Sequence, residues 1–240
     1  AYLSSMTEEL AGTAILVQTT EPAQPRKLTF PPEGAWDSNP EWSPNGREIA
    51  FLRRSPGEDC RIMAVPASGG EPRVLGGCDP HNRPSFDWTP DGSGLVFSSP
   101  LSGGAPGLRL LDLATGRWRA LEYGASAEDV DTAPRFSPDG KWIAFIRNTP
   151  LGDLWRIPAG GGRAERLTHQ RAEFRGWDWT PDGKAIVFGR RVDSHTRLYR
   201  LELSGRGISD LGIEDAQAPA IAAHANQLAF VQRKPEFGLY

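Results

Sequence analysis

Runs of three or four apolar residues recur along the chain, and each run follows a turn motif of one form. The motif consists of an aromatic residue, Ser or Thr, Pro, Asp or Asn, and Gly, and the apolar run behind it ends in Phe. The residues that lead the motif are Trp42, Trp88, Phe136 and Trp179, and a degenerate fifth copy is led by Ile221. Each lead residue stands nine positions before the Phe of its run. A register kept over five copies predicts an internal repeat of 42 to 48 residues.

The chemistry of the motif predicts a strand, a tight turn and a second strand. Pro fixes φ at the first central position of a type I turn, the Asp or Asn side chain bonds back to the backbone, and Gly takes the position with positive φ. The second strand is apolar at successive positions, as in 49–51 and 143–145, which is typical of a strand covered on both faces. A second hairpin follows in each repeat, for example over 61–75. One repeat therefore holds four antiparallel strands, as a propeller blade does.

The repeat resembles that of the TolB-like (WD40-like) β-propeller family, and the resemblance covers nearly the whole chain. It implies an all-β fold, a β-propeller of four-stranded antiparallel blades, with four complete blades and partial blades at both ends. We expect a single propeller domain over residues 1–240. Its complete blades are expected at about 37–76, 83–122, 131–168 and 174–212, with an outer hairpin at 13–30 and an inner hairpin at 217–240.

Two arrangements of the chain ends fit this pattern. In one, the hairpin at 13–30 completes the last blade and closes a ring of five blades. In the other, the chain is cropped from a larger propeller, and we favour this arrangement. The reason is that 238–240 matches the onset of the third strand that the first hairpin would have to replace. The chain also begins with Ala rather than Met, which favours a targeting or membrane segment upstream.

Two cysteines flank the second hairpin of the first complete blade. Cys60 stands just before its third strand and Cys78 just after its fourth, equally far from the turn near Gly69. Cross-strand neighbours come close enough for a disulfide when their side chains point the right way. We predict a disulfide here, which implies an oxidising compartment such as a periplasm. The alternative is a pair of unrelated thiols in a reducing compartment.

The composition agrees with the strand pattern and restricts the kinds of partner that we expect. The 27 Gly and 21 Pro, together with 8 Trp and 10 Phe, indicate many tight turns between short aromatic-rich strands. The formal net charge of -3 and the interspersed charges provide no basic field, so we expect no nucleic acid partner for this segment. We also expect no membrane segment, because no apolar stretch approaches the roughly 20 residues that cross a bilayer.

The sequence lacks the common catalytic patterns, so we predict that the chain is not an enzyme. The four histidines form no His-x-x-x-His pair, the cysteines form no metal-ligand cluster, and no Gly-x-Ser-x-Gly motif occurs. Asp193, Ser194 and His195 are adjacent, and adjacent loop residues cannot adopt the geometry of a catalytic triad. We interpret them as a polar turn. No phosphate-binding glycine loop or calcium loop is present, so we predict no cofactor and no metal.

A set of polar residues stands a few positions before each lead residue, where the chain enters the innermost strand of a blade. This position predicts a mixed polar ring near the mouth of a central channel, suited to a protein or peptide partner. The alternative interpretation is that these side chains cap turns. The predicted binding residues are Asp37, Asn39, His81, Arg83, Asp131, Glu173 and Arg175.

The segments 174–183 and 197–201 resemble the extracytoplasmic propellers of CadC-like winged-helix membrane regulators. The resemblance implies the periplasmic sensor part of a membrane-bound transcriptional regulator, tethered through an upstream membrane helix, with DNA contacted only by a separate N-terminal domain. Two alternatives stay open. One is a TolB-type envelope protein that docks a lipoprotein, and the other is the substrate-gating propeller of a prolyl oligopeptidase-like serine peptidase.

Overall fold

The computed structural model describes residues 2–4, 13–19, 23–57, 59–78, 84–98, 107–222 and 227–232. Within these residues, every regular element is a β-strand, and the strands form six antiparallel sheets. The sheets fall into two compact units, Ala1–Leu121 and Glu122–Tyr240. The prediction of an all-β fold built from four-stranded antiparallel blades is confirmed.

The first unit contains a three-stranded sheet and two four-stranded sheets, in which consecutive strands are neighbours. The hairpin expected at 13–30 corresponds to β2 and β3, and a further strand, β1, pairs with β2. The strands are β1 (Tyr2–Ser4), β2 (Leu16–Gln18), β3 (Arg26–Lys27), β4 (Trp36–Trp42), β5 (Glu48–Ser55), β6 (Asp59–Pro66), β7 (Arg73–Gly77), β8 (Phe86–Trp88), β9 (Gly94–Phe97), β10 (Arg109–Asp112) and β11 (Trp118–Ala120).

The second unit contains two four-stranded sheets and a two-stranded sheet, again with consecutive strands as neighbours. The expected inner hairpin at 217–240 corresponds to the last two strands, whereas 238–240 lies outside the described residues. The strands are β12 (Asp131–Phe136), β13 (Trp142–Arg147), β14 (Asp153–Pro158), β15 (Glu165–Arg166), β16 (Phe174–Trp179), β17 (Ala185–Val192), β18 (His195–Glu202), β19 (Ile208–Glu214), β20 (Ala216–Ile221) and β21 (Leu228–Gln232).

The predicted turn motif has one geometry in four repeats. The Ser or Thr hydroxyl donates a hydrogen bond of 2.6 to 2.9 Å to the side-chain oxygen of the Asp or Asn two residues later. That oxygen also accepts the backbone N–H two residues further on, at 2.9 to 3.1 Å. The Gly that closes each turn has a φ of 65° to 71°, a backbone conformation that is unfavourable for a residue with a side chain. The motif therefore fixes the hairpin between the first and second strands of each blade.

The core lies between adjacent sheets within each unit. The Phe that ends each apolar run is no more than 2% exposed in the four complete sheets, as expected for a strand covered on both faces. In the first unit, Phe51 packs with Ile15 and Met63, and Trp88 packs with Leu52 and Leu95. Burying each such side chain stabilises the fold by roughly 2 kcal/mol. These layers of aromatic and aliphatic side chains hold neighbouring blades together.

In the second unit, the corresponding layer lies between the sheet of β12–β15 and that of β16–β19. It includes Trp177, Trp179 and Phe188 from one sheet, and Ile146 and Leu154 from the other.

Hydrogen bonds from the lead tryptophans connect neighbouring blades. Trp88 Nε1 donates to the backbone oxygen of Glu41 at 3.1 Å, and Trp179 Nε1 donates to that of Arg135 at 3.2 Å. In both cases, the acceptor is the residue just before the lead residue of the preceding blade. Trp42, the first lead residue, has no acceptor for its buried Nε1 among the described residues.

The first strand of a blade contains a bulge at a repeated position. In four repeats, the residue three before the lead residue has positive φ: Asn39, Ala133, Gly176 and Ala218. The strand register shifts across each of these residues. Gly176 is required here, because a Cβ at this position would lie 2.5 Å from the Cα of Ala218.

The predicted disulfide between Cys60 and Cys78 is confirmed. Their Cα atoms are 5.0 Å apart, and Cys78 N donates to Cys60 O at 2.9 Å, so the bond continues the pairing of β6 with β7. It closes the outer hairpin of the first complete blade. Because structural disulfides persist in oxidising environments, this bond indicates an oxidising compartment.

Candidate functional site

Two of the predicted channel-mouth residues, Asp37 and Asp131, are buried in ion pairs. Asp37 on β4 lies opposite Arg53 on β5, whose Nε and Nη2 are 2.7 and 2.8 Å from its two carboxylate oxygens. Asp131 on β12 and Arg147 on β13 repeat this bidentate geometry with the same distances. Neither Asp side chain is exposed to solvent. A ligand could therefore contact either carboxylate only by displacing its arginine, and their role in binding stays a prediction.

The second of these pairs belongs to a larger buried network. Tyr123 donates its hydroxyl proton to Asp131 at 2.6 Å, and Asp129 lies 3.4 Å from Arg147. The guanidinium also lies 4.9 Å from the ring centroid of Trp155. Buried charges are tolerated when opposite charges and hydrogen bonds satisfy them, as they do here.

Of the three remaining predicted binding residues in the first unit, the structure describes one, Asn39. Asn39 is exposed at the bulge of β4, and its Nδ2 donates to the backbone oxygen of Pro84 at 3.0 Å. His81 and Arg83 lie outside the described residues. Asn39 therefore connects β4 to Pro84, just before β8. A role of Asn39 in binding stays a prediction.

Glu173 and Arg175 lie together at the start of β16 and form an ion pair. Glu173 also faces Arg191 on β17, with a nitrogen-to-oxygen distance of 3.6 Å. Glu173 and Arg191 line a cleft of about 400 Å³ in the second unit, which we call the loop cleft. It is formed by Leu151, by 170–173 before β16, and by 190–193 at the end of β17.

The loop cleft carries more positive than negative charge. Its two carboxylates are Glu173, which is already engaged by two arginines, and Asp193. Arg191 Nε also donates to the backbone oxygen of Asp193 at 3.1 Å. Its arginines are Arg171, Arg190 and Arg191. Leu151 adds an apolar wall and is 58% exposed. A cleft with this lining suits an anionic group that carries an apolar neighbour.

Arg190 is the functional candidate that the sequence analysis missed. It occupies the same position in its repeat as Arg53 and Arg147, but the residue opposite it on β16 is Phe174 rather than Asp. Arg190 instead stacks over Tyr199, 4.3 Å from the ring centroid, and donates to the side-chain oxygen of Gln170. The signal was in the repeat: an Arg eleven residues after the lead residue occurs in three copies, and an Asp five before it in only two.

Toward its C-terminal end, β16 carries a carboxyl with a shifted pKa, Asp178, and a buried tryptophan, Trp177. Asp178 accepts the backbone N–H of Ile221 at 2.7 Å, and desolvation by burial raises the pKa of its carboxyl. Trp177, on the opposite face of the strand, is 1% exposed, and its Nε1 has no acceptor among the described residues. Trp177 therefore packs in the core, as does Trp179.

A second, larger cleft of about 640 Å³ lies beside β14 and β15. Arg156 stacks over the Trp142 ring at 4.2 Å, and Glu165 is engaged by Arg156 and Arg206. The lining contains one carboxylate, Glu165, and three arginines, so it carries more positive than negative charge; one of the arginines, Arg166, also pairs with Asp153 at 2.6 Å. The residues that line it are Trp142, Trp155, Pro158, Arg163, Ala164, Glu165, Arg166, His169 and Arg206.

Asp193 and Ser194 form the turn between β17 and β18, as interpreted from the sequence, and His195 is the first residue of β18. Asp193 has a φ of 55°, typical of a tight turn, and His195 Nδ1 lies 2.9 Å from an oxygen of Asp215. Within the described residues, no group of three metal-ligating side chains could hold a metal ion. No helix in that part of the chain is long and apolar enough to cross a bilayer.

The repeated four-stranded sheets and their turn motif define a β-propeller protein. The chain belongs to the TolB β-propeller domain family, whose model matches residues 87–239. The solved structure of TolB from Acinetobacter baumannii superimposes with a TM-score of 0.74 at 19% identity, covering 94% of this chain and 55% of that one. This likeness supports the fold.

Sequence relatives include proteins with and without an assigned activity. An uncharacterised protein of Agrobacterium fabrum is 28% identical over 213 residues, which are 80% of this chain and 69% of that protein. Dipeptidyl-peptidase 5 of Porphyromonas gingivalis is 29% identical over 132 residues, which are 49% of this chain and 19% of that enzyme. The chain thus spans a small part of the peptidase and about half of the solved TolB.

Proposed function

We propose that the chain is an extracytoplasmic binding module without catalytic activity, and that it serves as the sensing part of a membrane-bound transcriptional regulator. The disulfide between Cys60 and Cys78 is the observation that carries the proposed compartment, the periplasm. The regulator and its membrane tether rest on the resemblance of 174–183 and 197–201 to CadC-like propellers.

The proposed binding place is the loop cleft. Its lining includes Glu173, which the sequence analysis selected together with Arg175, and three arginines stand around it. Propellers present their loops on rigid sheets, and binding residues are commonly held in loops on such scaffolds. The proposed partner is a protein or peptide, because a mixed polar cleft with one exposed apolar wall fits a peptide chain better than an apolar molecule.

A topology fusion tests the compartment and the tether. Alkaline phosphatase, which needs an oxidising compartment, would be fused behind this chain in the full-length gene product, with green fluorescent protein at the same position as the matched control. We expect phosphatase activity in the membrane fraction and no fluorescence. Fluorescence without phosphatase activity would place the chain in the cytosol and contradict the proposal.

Regulation needs a separate test. Transcription from the protein's own promoter region would be measured in cells carrying the full-length protein or a version without residues 1–240. We expect that the shortened protein still binds DNA but no longer changes transcription with growth conditions. An unchanged response without the propeller would refute the sensing role.

A second candidate function is the gating propeller of a serine peptidase, and the similarity to dipeptidyl-peptidase 5 favours it. In that case, the full-length protein would carry a hydrolase domain with its own serine nucleophile. Labelling of the full-length protein by a fluorophosphonate probe would support the peptidase. The absence of labelling, next to a labelled peptidase control, would support the binding module. A TolB-type envelope protein is a third reading, supported by the fold alone.

A further inference from the structure

Of the three arginines at equivalent positions of the repeat, two have an Asp as counterion, and the third has uncharged partners in the structure. Arg53 and Arg147 each form two hydrogen bonds with an Asp on the neighbouring first strand. The equivalent Arg190 pairs in register with Phe174. Its partners in the structure, Gln170 and Tyr199, are uncharged.

The position of Arg190 leaves its guanidinium accessible but held in place. Arg190 is half-buried and lines the loop cleft, whereas Arg147 is buried, at 8% side-chain exposure. The Tyr199 ring supports one face of the Arg190 guanidinium at 4.3 Å, and Gln170 accepts from its Nη1. An arginine that is fixed by packing loses little conformational entropy when an anion binds.

A second guanidinium stands in the same cleft. Arg171 is exposed, and no carboxylate pairs with its side chain among the described residues. The backbone N–H of Arg171 donates to Asp153 at 3.3 Å, and that of Gln170 donates to the same oxygen at 2.7 Å, which fixes the loop carrying both residues. Planar guanidinium groups bind carboxylates in a bidentate manner.

We propose that the loop cleft binds the carboxylate of a peptide, and that this carboxylate pairs with Arg190 as the internal Asp37 and Asp131 pair with Arg53 and Arg147. Arg171 adds a second positive charge, and Leu151 and Val192 contact the apolar side chain next to that carboxylate. The inference deepens the binding role proposed for this cleft and rests on it. The carboxylate comes from a chain terminus or from an acidic side chain, and the two sources share the same chemistry.

Three peptides test the proposal and separate these sources. They are acetyl-Ala-Leu-Leu with a free carboxylate, the same peptide as an amide, and acetyl-Glu-Leu-Leu amide. Binding to the purified chain is followed by NMR, using the Nε–Hε signals of the arginine side chains. We expect a saturable shift of the Arg190 signal with the first peptide, the third or both, and none with the neutral amide. Equal shifts with all three, or none with any, would overturn the proposal.

Substitutions at Phe174 give the sharpest test. Phe174→Asp supplies Arg190 with an internal counterion like those of Arg53 and Arg147, and binding should weaken by about tenfold or more because the new carboxylate competes with the peptide. Phe174→Asn introduces a side chain of nearly the same shape as Asp but without its charge, and this variant should keep wild-type affinity. If the two folded variants bind alike, the internal carboxylate does not compete for Arg190 and the idea is wrong.

Arginine variants complete the test. Arg190→Gln should lower affinity by about tenfold, and the exposed Arg119→Gln in the first unit should leave it unchanged. Wild-type affinity in a folded Arg190→Gln variant would also overturn the proposal. These measurements use the purified chain, so their failure is distinguishable from a failure of the topology or transcription tests, which concern the compartment and the regulator.

Discussion

The turn carboxylates show how one side chain can set a local structure and its response to pH. Asp91, Asp139 and Asp182 each accept a hydroxyl hydrogen bond and a backbone N–H, and the hydroxyl hydrogen bond is the main cause that lowers the pKa of each carboxyl. Asn45 takes the same position in the first complete repeat and accepts equivalent bonds without a charge. The repeat therefore contains its own comparison between a titrating and a non-titrating turn.

Asp139→Asn should make the stability of the chain less sensitive to acid. A carboxyl with a lowered pKa in the folded state stabilises the fold above its unfolded pKa, and this contribution is lost as pH falls through the folded pKa. The free energy of unfolding, measured by urea denaturation between about pH 6 and pH 3, should therefore fall less in the variant. Asp139→Ala, which removes the acceptor, should cost about 1 kcal/mol at neutral pH. An identical acid response in Asp139→Asn and wild type would contradict this assignment.

The ion pair of Asp37 and Arg53 predicts a large effect from a small substitution. Asp37→Asn leaves a guanidinium with 14% side-chain exposure without its counterion. Breaking a buried pair in this way should lower the free energy of unfolding by about 3 kcal/mol. The exposed Glu71→Gln is the matched control and should change it by less than about 0.5 kcal/mol. Equal urea midpoints for the two variants would show that the pair contributes little.

At the residue scale, the sequence was informative where partners are close in the chain. The turn bonds join residues two positions apart, and the disulfide joins positions symmetric about one hairpin, so both could be predicted. The pairing of Asp37 with Arg53 depends on the register of two strands across a bulge, which the local pattern does not reveal. The binding role of Glu173 and Arg175 could be suggested, but the cleft also needs Arg190, whose significance depends on the Phe opposite it.

At the scale of elements, the two tryptophans on β16 are alike in packing but differ in hydrogen bonding. Trp177 and Trp179 are both buried in one cluster, but among the residues that the structure describes only the Nε1 of Trp179 has an acceptor, the backbone oxygen of Arg135. The lead position also accepts Phe136 in the preceding blade, so an indole is not required by the strand itself.

Trp179→Phe should therefore destabilise the chain more than Trp177→Phe. Both variants lose similar ring volume, but the first also removes the hydrogen bond that Trp179 Nε1 donates to the oxygen of Arg135, and the difference should be about 1 kcal/mol. The comparison of the two urea midpoints measures the hydrogen bond directly. A larger loss in Trp177→Phe would mean that packing of the β16 face outweighs the connection between blades.

At the scale of the whole molecule, the family and the blade plan followed from the sequence because the repeat occurs five times. The ligand did not, because a propeller presents different loops on the same sheets and function resides in those loops. The prediction for the first sheet lacked one strand, β1, because β1 contains no copy of the turn motif.

Removal of the disulfide tests the compartment at this scale. The double variant Cys60→Ala and Cys78→Ala should lose about 3 kcal/mol of stability, because the bond restricts the unfolded chain. Reduction of the wild-type protein should produce the same loss and release both thiols, whereas the unreduced, unfolded protein should contain no reactive thiol. Two thiols without reductant would contradict the oxidising compartment.

The bonds donated by the lead tryptophans all run in one direction along the chain. The acceptors, Glu41 for Trp88 and Arg135 for Trp179, belong to the blade that the ribosome completes first. Chains are synthesised from the N terminus, at about 5 to 20 residues per second. When the chain folds from its N terminus, the blades led by Trp88 and Trp179 thus each meet an acceptor that is already in position, so the preceding blade can template the next.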